Sequence, residues 1–207
     1  MVSLDWPDAS LPGWRPWTSV SEGSSTPGSP VSALSATPNR IAVFLADPGG
    51  GIYTTSGNAT ASWRPWTGVS EGSTTPGGTI SAVVTAANNI ALFLADSAGG
   101  VYTTSGNADA GWRPWTRVSE GRSTPGTPIT ALVAGPSRVT LFLADPAGGV
   151  YTTSGNAADG WRPWTSVAEG RSTPGGTISA VLIAPKRVAL FLADSEGGIY
   201  ATEPQLS

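Results

Sequence analysis

The chain has 207 residues, of which 12% are charged, and its formal net charge is −3. It contains no cysteine and no histidine, which excludes disulfides, thiol nucleophiles, histidine-based triads and ordinary zinc or copper sites. It has no basic patch to follow a phosphate backbone, and no apolar run of about 18 residues to span a membrane. We therefore expect no enzyme, no catalytic residues, no cofactor, no metal, no nucleic-acid partner and no membrane insertion.

The N-terminus carries no recognisable targeting segment. Residues 1–6 lack the basic and apolar regions of a secretory signal peptide. We expect synthesis in the cytoplasm or release by a non-classical route, and the sequence gives no further indication of localisation.

Most of the chain is one unit written four times. Trp-Arg-Pro-Trp begins at Trp14, Trp63, Trp112 and Trp161, each 49 residues after the one before (63 − 14 = 49). Phe-Leu-Ala-Asp recurs in step and ends at Asp47, Asp96, Asp145 and Asp194. A fixed period of this length is typical of repeat proteins, whose units bury apolar surface against their neighbours. We predict a single domain over residues 1–207, in which a site built from repeated residues recurs.

Each unit predicts four short strands separated by Gly, Pro, Ser or Asn. In the first copy these are strand a (Pro30–Ala36), strand b (Arg40–Ala46), strand c (Ile52–Thr55) and strand d, which runs from Trp-Arg-Pro-Trp at Trp63 to Val69. Nothing has helical periodicity, so the fold class is all-β. Four strands in 40 to 50 residues are typical of one β-propeller blade.

The order of the strands at the two ends predicts closure of a ring. The chain opens with a d strand that has no a, b or c before it, and it ends with a, b and c without a d. The N-terminal strand is therefore expected to complete the last of four four-stranded blades, with strand a innermost and strand d outermost. A larger ring made from two chains, and hence a homo-oligomer, stays open as an alternative.

Strand d supplies the first candidate ligand-binding residues. Side-chain alternation predicts that the first Trp of each motif packs between blades and the second lies near solvent beside an Arg. The pair could serve mainly for packing, with a cation–π contact, or it could form a platform for sugar rings. The candidates are Trp14, Trp63, Trp112, Trp161, Trp17, Trp66, Trp115, Trp164, Arg15, Arg64, Arg113 and Arg162.

Loops at the two ends of the blades supply the remaining candidates. The d-to-a and b-to-c loops share one face, where a carboxylate could accept a sugar hydroxyl or Asp47 and its copies could cap their own turns. A calcium site is disfavoured because no dense Asp/Asn cluster exists. The candidates on this face are Glu22, Glu71, Glu120 and Glu169. Those on the opposite face are Arg40, Arg138, Arg187, Asn58, Asn107 and Asn156, with Asn89 in place of the arginine in the second copy.

The pattern Trp-x-x-Trp, Arg-Ile/Val-x-x-Phe and Asp-x-x-Gly-Gly-Ile/Val-Tyr resembles the blade of bacterial fucose-binding propeller lectins. It is more loosely similar to fungal fucose lectins of the Aleuria type and to tachylectin. The resemblance implies sugar sites between neighbouring blades, each with an aromatic residue, an Arg and a carboxylate, for a sugar of the fucose or N-acetylglucosamine type. The chain departs from the Aleuria-type pattern at Ala42 and Thr54, where that pattern has an Arg and a Glu.

Two functions follow from these patterns. The first is a multivalent carbohydrate-binding lectin with up to four similar sites, whose partners are glycans or glycoconjugates. The alternative is a non-enzymatic scaffold that binds another protein through one propeller face. Displacement of a bound partner by free sugar distinguishes them.

Overall fold

The computed structural model describes residues 17–58, 62–135, 138–185 and 187–203. These residues form antiparallel β-sheets, and no helix that could cross a membrane is found among them. Two predicted site residues, Trp14 and Arg15, lie outside the described residues.

The strands fall into four sheets. The first contains β1 (Ser32–Thr37), β2 (Arg40–Ala46), β3 (Gly51–Gly57) and β4 (Thr67–Ser73). The second contains β5 (Ser81–Ala86), β6 (Asn89–Ala95), β7 (Gly100–Asn107), β8 (Gly111–Trp112) and β9 (Thr116–Arg122). The third contains β10 (Thr130–Gly135), β11 (Arg138–Ala144), β12 (Gly149–Asn156), β13 (Gly160–Trp161) and β14 (Thr165–Arg171). The fourth contains β15 (Ile178–Ala184), β16 (Arg187–Ala193) and β17 (Ile199–Thr202). The predicted order a, b, c, d is confirmed.

The predicted strand d is broken rather than continuous. In the second sheet Trp112 belongs to the two-residue strand β8, and the main strand β9 begins only at Thr116. Both pair with β7. Pro114 lies between them, and because proline has no N–H it cannot donate to the ladder. The alternation used to assign side-chain directions therefore does not run through Trp-Arg-Pro-Trp.

The apolar core lies between successive sheets. Strand β2 buries five consecutive residues, from Ala42 to Ala46, because a strand covered on both faces needs a continuous apolar run. Phe44 packs in a cluster with residues of the second sheet, including Ile90 and Leu92, and a second cluster joins the second and third sheets. Along the inner edge β1 contacts β5, β5 contacts β10 and β10 contacts β15. Each sheet therefore packs on its neighbour in the chain.

The repeated aspartates form hydrogen bonds within the b-to-c turns. Asp47 accepts hydrogen bonds from the backbone N–H groups of Gly49 and Gly51, both at 2.8 Å, through Oδ1. The other three aspartates accept the same pair of bonds. The prediction that Asp47 caps its own turn is confirmed, and its Oδ1 is committed to the backbone.

The two ends of the row of sheets are unlike the middle. The fourth sheet stops at β17, and residues 17–20 belong to no strand. Among the described residues, no packing comparable to that of β1 on β5 joins β1 to β15. Closure of a four-bladed ring by the N-terminal strand stays a prediction.

Candidate functional site

Grooves run between neighbouring sheets at the end where the a-to-b turns and the first Trp of each motif lie. Groove A, between the first and second sheets, is defined by Arg40, Arg64, Asp109 and Trp112. Groove B, between the second and third sheets, is defined by Asn89, Arg113, Asp159 and Trp161. Groove C, between the third and fourth sheets, is defined by Arg138, Arg162, Ser154 and Glu203.

The first Trp of the motif forms a wall of the groove. Trp112 meets Phe44 of the preceding sheet edge-to-face, with ring centroids 5.8 Å apart, and Trp161 meets Phe93 at 5.6 Å. Both indoles are half-buried. Their Nε1–H groups are buried and have no hydrogen-bond partner among the described residues. Packing between blades, which we predicted for the first Trp, is confirmed for these two copies, and each ring is held in one orientation.

The second Trp was predicted to lie near solvent, and for three copies that prediction is wrong. Trp66, Trp115 and Trp164 are half-buried and donate Nε1–H to the carbonyls of Val20, Val69 and Val118 at 3.0, 3.1 and 3.3 Å. Because the strand is interrupted at proline, both tryptophans turn towards the preceding sheet. The described arginines make no cation–π contact with them. The remaining second tryptophan, Trp17 of the first motif in the chain, is fully exposed.

An ion-pair network crosses groove A. Asp109 accepts from Arg40 Nη1 at 2.6 Å and Nη2 at 3.2 Å, and from Arg64 Nη1 at 2.5 Å. Hydrogen bonds from Arg40 and Arg64 lower the pKa of Asp109 to about 2. Arg40 also donates to the Ser56 hydroxyl at 2.9 Å. Both arginines are therefore engaged with protein groups.

Groove B is an open cavity of about 430 Å³. Arg113 is exposed on its wall, and its guanidinium makes no hydrogen bond or ion pair with any described residue. Asn89 replaces the arginine of the other copies and donates to the Thr85 hydroxyl at 2.7 Å instead of crossing the groove. Asp159 accepts from Asn156 at 2.8 Å through Oδ2 and lies beside Trp161. The groove thus combines an aromatic wall, an uncommitted guanidinium and an exposed carboxylate.

Groove C is larger, about 870 Å³. Arg138 donates to Ser154 at 3.0 Å, as Arg40 does to Ser56. In the fourth copy Glu203 replaces that serine and pairs with Arg187 at 2.7 Å. Arg162 is exposed on the wall. Each of these arginines therefore bonds to its own repeat unit, and Arg40 also reaches Asp109 of the next sheet.

The other predicted residues take two kinds of position. Asn107 and Asn156 accept backbone N–H bonds within their own turns, as the backbone-capping interpretation predicts. Asn58 is at the equivalent place in the first sheet and also has an interaction. The glutamates are exposed near the opposite end of strand d, because Ser73 pairs with Gly51 while Trp63 lies against Gly57. The glutamates Glu22, Glu71, Glu120 and Glu169 do not join the grooves of the tryptophans.

Sequence reasoning missed the two aspartates that distinguish the grooves. Asp109 and Asp159 lie three residues and two residues before a motif Trp, at positions that do not align in the repeat. A search for residues present in every copy passes over them. Ala42 and Thr54 are both buried, and their equivalents in the second sheet, Ala91 and Thr103, line groove B without bringing a charge to it.

The solved structures that superimpose on this chain include lectins. The BP39L lectin from Burkholderia pseudomallei superimposes with a TM-score of 0.82 over 94% of this chain and 57% of that chain, at 21% identity. The fold is that of the β-propeller lectins. A lectin from Aleuria aurantia bound to α-methyl-L-fucoside matches with a TM-score of 0.63 over 87% of this chain and 58% of that chain, at 14% identity. AofleA from Arthrobotrys oligospora matches with a TM-score of 0.67 over 86% and 54%, at 13% identity.

These propeller lectins are longer than the present chain. The chain spans a little over half the length of each, and the Aleuria aurantia lectin is described as a six-bladed β-propeller. At the level of sequence, no family model and no curated protein matches it.

Proposed function

We propose that the chain is a non-enzymatic lectin that binds a sugar in grooves between its blades. The observation that carries the proposal is groove B, where Trp161, Arg113 and Asp159 face one open cavity of about 430 Å³. An aromatic ring can stack on the C–H face of a pyranose, a guanidinium donates to its oxygens, and a carboxylate accepts from its hydroxyls. Ligand sites of this kind combine apolar walls with a few convergent polar groups.

L-Fucose is the sugar to test first. Of the propeller lectins of the same fold, one from Aleuria aurantia was solved with α-methyl-L-fucoside and SapL1 with α-methyl fucoside. At the positions equivalent to Ala42 and Thr54, groove B has Ala91 and Thr103 and therefore no charged side chain, which leaves Arg113 and Asp159 as the candidates for charged contacts with the sugar.

We further propose four blades whose sites are unequal. Groove B and the larger groove C are open cavities, whereas in groove A Asp109 pairs with both arginines. Weak sites on one rigid body still gain avidity on a glycan-coated surface, by about 10² to 10⁴. A multivalent lectin of this design is expected to agglutinate cells at concentrations far below the dissociation constant of a single site.

Replacement of the free arginine of groove B tests the proposal. We expect Arg113→Ala to weaken binding of α-methyl-L-fucoside at this groove about tenfold or more, since a charge-assisted hydrogen bond is worth about 1.5 to 3 kcal/mol. Isothermal titration measures the effect, with N-acetylglucosamine titrated in parallel. Arg117→Ala is the matched control, because Arg117 is exposed on β9 away from the grooves.

Absence of binding by any glycan at millimolar concentration would refute the lectin proposal. A protein partner that free sugar does not displace would favour the scaffold instead. Equal losses in Arg113→Ala and Arg117→Ala would remove groove B as the site.

A further inference from the structure

The two ends of the chain carry halves of one contact that the chain makes three times internally. In each internal contact the second Trp of a motif donates its indole N–H to a valine carbonyl in the strand d before it. Its ring lies over a glycine three residues after that valine, close enough that a Cβ there would come within about 2 Å of Nε1. The glycines under these rings are Gly23, Gly72 and Gly121. We call this arrangement the Trp–Gly joint.

The fourth sheet has the receiving half of the joint without an indole in it. Val167 and Gly170 are the next valine and glycine of the series, and the nearest described atom to a Cβ on Gly170 would be 3.8 Å away. Val69 and Val118 are 0% exposed, whereas Val167 is only partly buried. Val167 and Gly170 line a cavity of about 560 Å³ together with Ile178, Leu190, Leu192 and Tyr200. The receiving half is therefore an open, largely apolar groove.

A second contact is open at the same edge. Gly50, Gly99 and Gly148 lie so close to a carbonyl of the following loop that a Cβ would meet it at 2.2, 2.0 and 2.3 Å, and each glycine carbonyl accepts an N–H from that loop. A Cβ on Gly197, the fourth member, would meet no described atom within 4 Å. Strand β17 is correspondingly bare, with Ile199 75% exposed where Ile52 is 2% exposed. An unpaired strand edge with exposed apolar side chains is a template for another strand.

The inserting half of the joint lies at the other end of the chain. Trp17 precedes Trp66 by the repeat length, and it is fully exposed. The segment 17–23 already serves as strand d on one side, since Val20 accepts from Trp66 and Gly23 lies under that ring. On its other side it pairs with no described strand. The segment has the sequence that the edge of the fourth sheet would receive.

We propose that this edge docks the N-terminal segment 17–23 of a second copy of the chain, head to tail. The internal pairs Tyr53–Gly68 and Thr54–Thr67 fix the register by repeat equivalence. Tyr200 pairs with Ser19 of the second copy, and Ala201 pairs with Thr18. The indole of Trp17 then donates to the Val167 carbonyl and covers Gly170, and the N–H of Ser25 bonds to the Gly197 carbonyl.

A second copy fits this edge better than the chain's own N-terminus does. The first and last sheets of one chain are not packed together in the described residues. The chain superimposes with a TM-score of 0.82 on 57% of the BP39L lectin, so its sheets follow the curvature of a chain roughly two-thirds longer, since 94% of 207 residues make up that 57%. Two copies therefore supply enough sheets to close one ring through two head-to-tail joints, which generate a closed assembly when the rotation permits.

Docking of a second copy also creates another groove of the type that we propose to bind sugar, although the docking itself does not depend on sugar binding. By the same equivalence, Trp63 of the second copy meets Phe191, as Trp112 meets Phe44. Phe191 is 41% exposed, whereas Phe44 is 0% exposed. A groove of the same type as grooves A and B is thereby built from two copies. The docking contact uses none of the residues that define groove B, so it can be tested whether or not a sugar binds.

Native mass spectrometry and light scattering, across micromolar to millimolar chain, test the proposal. One chain has a mass of 20.9 kDa, and we expect twice that mass at the higher concentrations. Trp17→Ala should raise the dissociation constant of the dimer about a thousandfold. Loss of one hot-spot Trp weakens binding about thirtyfold, and the two-copy assembly loses one at each of its two joints. Since Trp17 is exposed, this variant should keep the near-ultraviolet circular dichroism and melting temperature of the dilute wild-type chain.

A complementation experiment identifies the joint itself. Gly170→Leu fills the receiving groove, so this variant and Trp17→Ala should each be monomeric alone. An equimolar mixture should form heterodimers, since one intact Trp17 then meets one intact groove. Groove B affinity for α-methyl-L-fucoside should be unchanged throughout, which separates this test from that of the lectin proposal.

A wild-type chain that stays monomeric at millimolar concentration would overturn the proposal, and so would a dimer that survives Trp17→Ala. A monomer whose melting temperature falls on Trp17→Ala would show closure by the chain's own segment instead. Larger oligomers lost in both variants would retain the joint and overturn the two-copy ring.

Discussion

The most direct test of the fold compares two tryptophans that occupy the same position of the repeat. Trp115 is half-buried, covers Gly72 and donates to the Val69 carbonyl at 3.1 Å, whereas Trp17 is fully exposed. Full truncation of a buried Trp to Ala costs about 3 to 5 kcal/mol, so a half-buried ring gives about 2 kcal/mol. Loss of the indole hydrogen bond adds about 1 kcal/mol. We expect Trp115→Ala to cost about 3 kcal/mol and Trp17→Ala less than about 0.5 kcal/mol.

Urea unfolding at low micromolar chain, followed by circular dichroism, measures both free energies. Low concentration keeps the docking of a second copy from stabilising the wild-type chain. The slope of the transition must be the same in all three proteins for the midpoints to be compared. Equal destabilisation by the two substitutions would refute the reasoning, because it would mean that Trp17 is buried in the isolated chain.

Three further predictions follow from the described contacts. Gly72→Ala should destabilise the chain by about 1 to 3 kcal/mol, because its Cβ would meet Nε1 of Trp115 at 2.0 Å. Gly170→Ala should be tolerated at low concentration, because its Cβ would have no described atom closer than 3.8 Å. A comparable loss of stability in both variants would contradict this reasoning. Asp109→Asn should release the two arginines of groove A and raise the number of fucoside sites measured by titration. Because the ion pairs lower the pKa of Asp109 to about 2, its contribution to folding stability is fully present above the unfolded pKa of 3.8 and is lost as the pH falls towards 2. An NMR titration of the Asp109 carboxyl carbon with a midpoint near 4 would contradict the ion pairs.

Strand b and the turn after it were predictable because local rules alone determine them. The run from Arg40 to Ala46 is apolar and bounded by turn residues, and the structure gives β2 the same limits. Asp47 precedes a glycine-rich turn, where a side-chain carboxylate bonds the next N–H groups in most contexts. Neither result depends on what lies across the sheet.

The orientation of the tryptophans was not predictable from alternation. The rule assumes an extended backbone, and Pro114 interrupts it between Trp112 and Trp115. The candidate site failed in sequence for a different reason. Asp109 and Asp159 act on groove walls contributed by the preceding sheet, so only the packing of two sheets brings them near Arg40 and Arg113.

The bare edge at β17 also determines how the chain comes apart. Each sheet packs only on its neighbours, so the local unfolding of lowest free energy begins in the sheet with the fewest buried groups. The fourth sheet has only Ile178 and Leu190 among the buried apolar side chains, whereas the second has six residues from Ile90 to Ala95. Hydrogen exchange should therefore be fastest in β17 and slowest in β6. A second copy seated on that edge closes the route, which makes the lifetime of the folded chain depend on its own concentration.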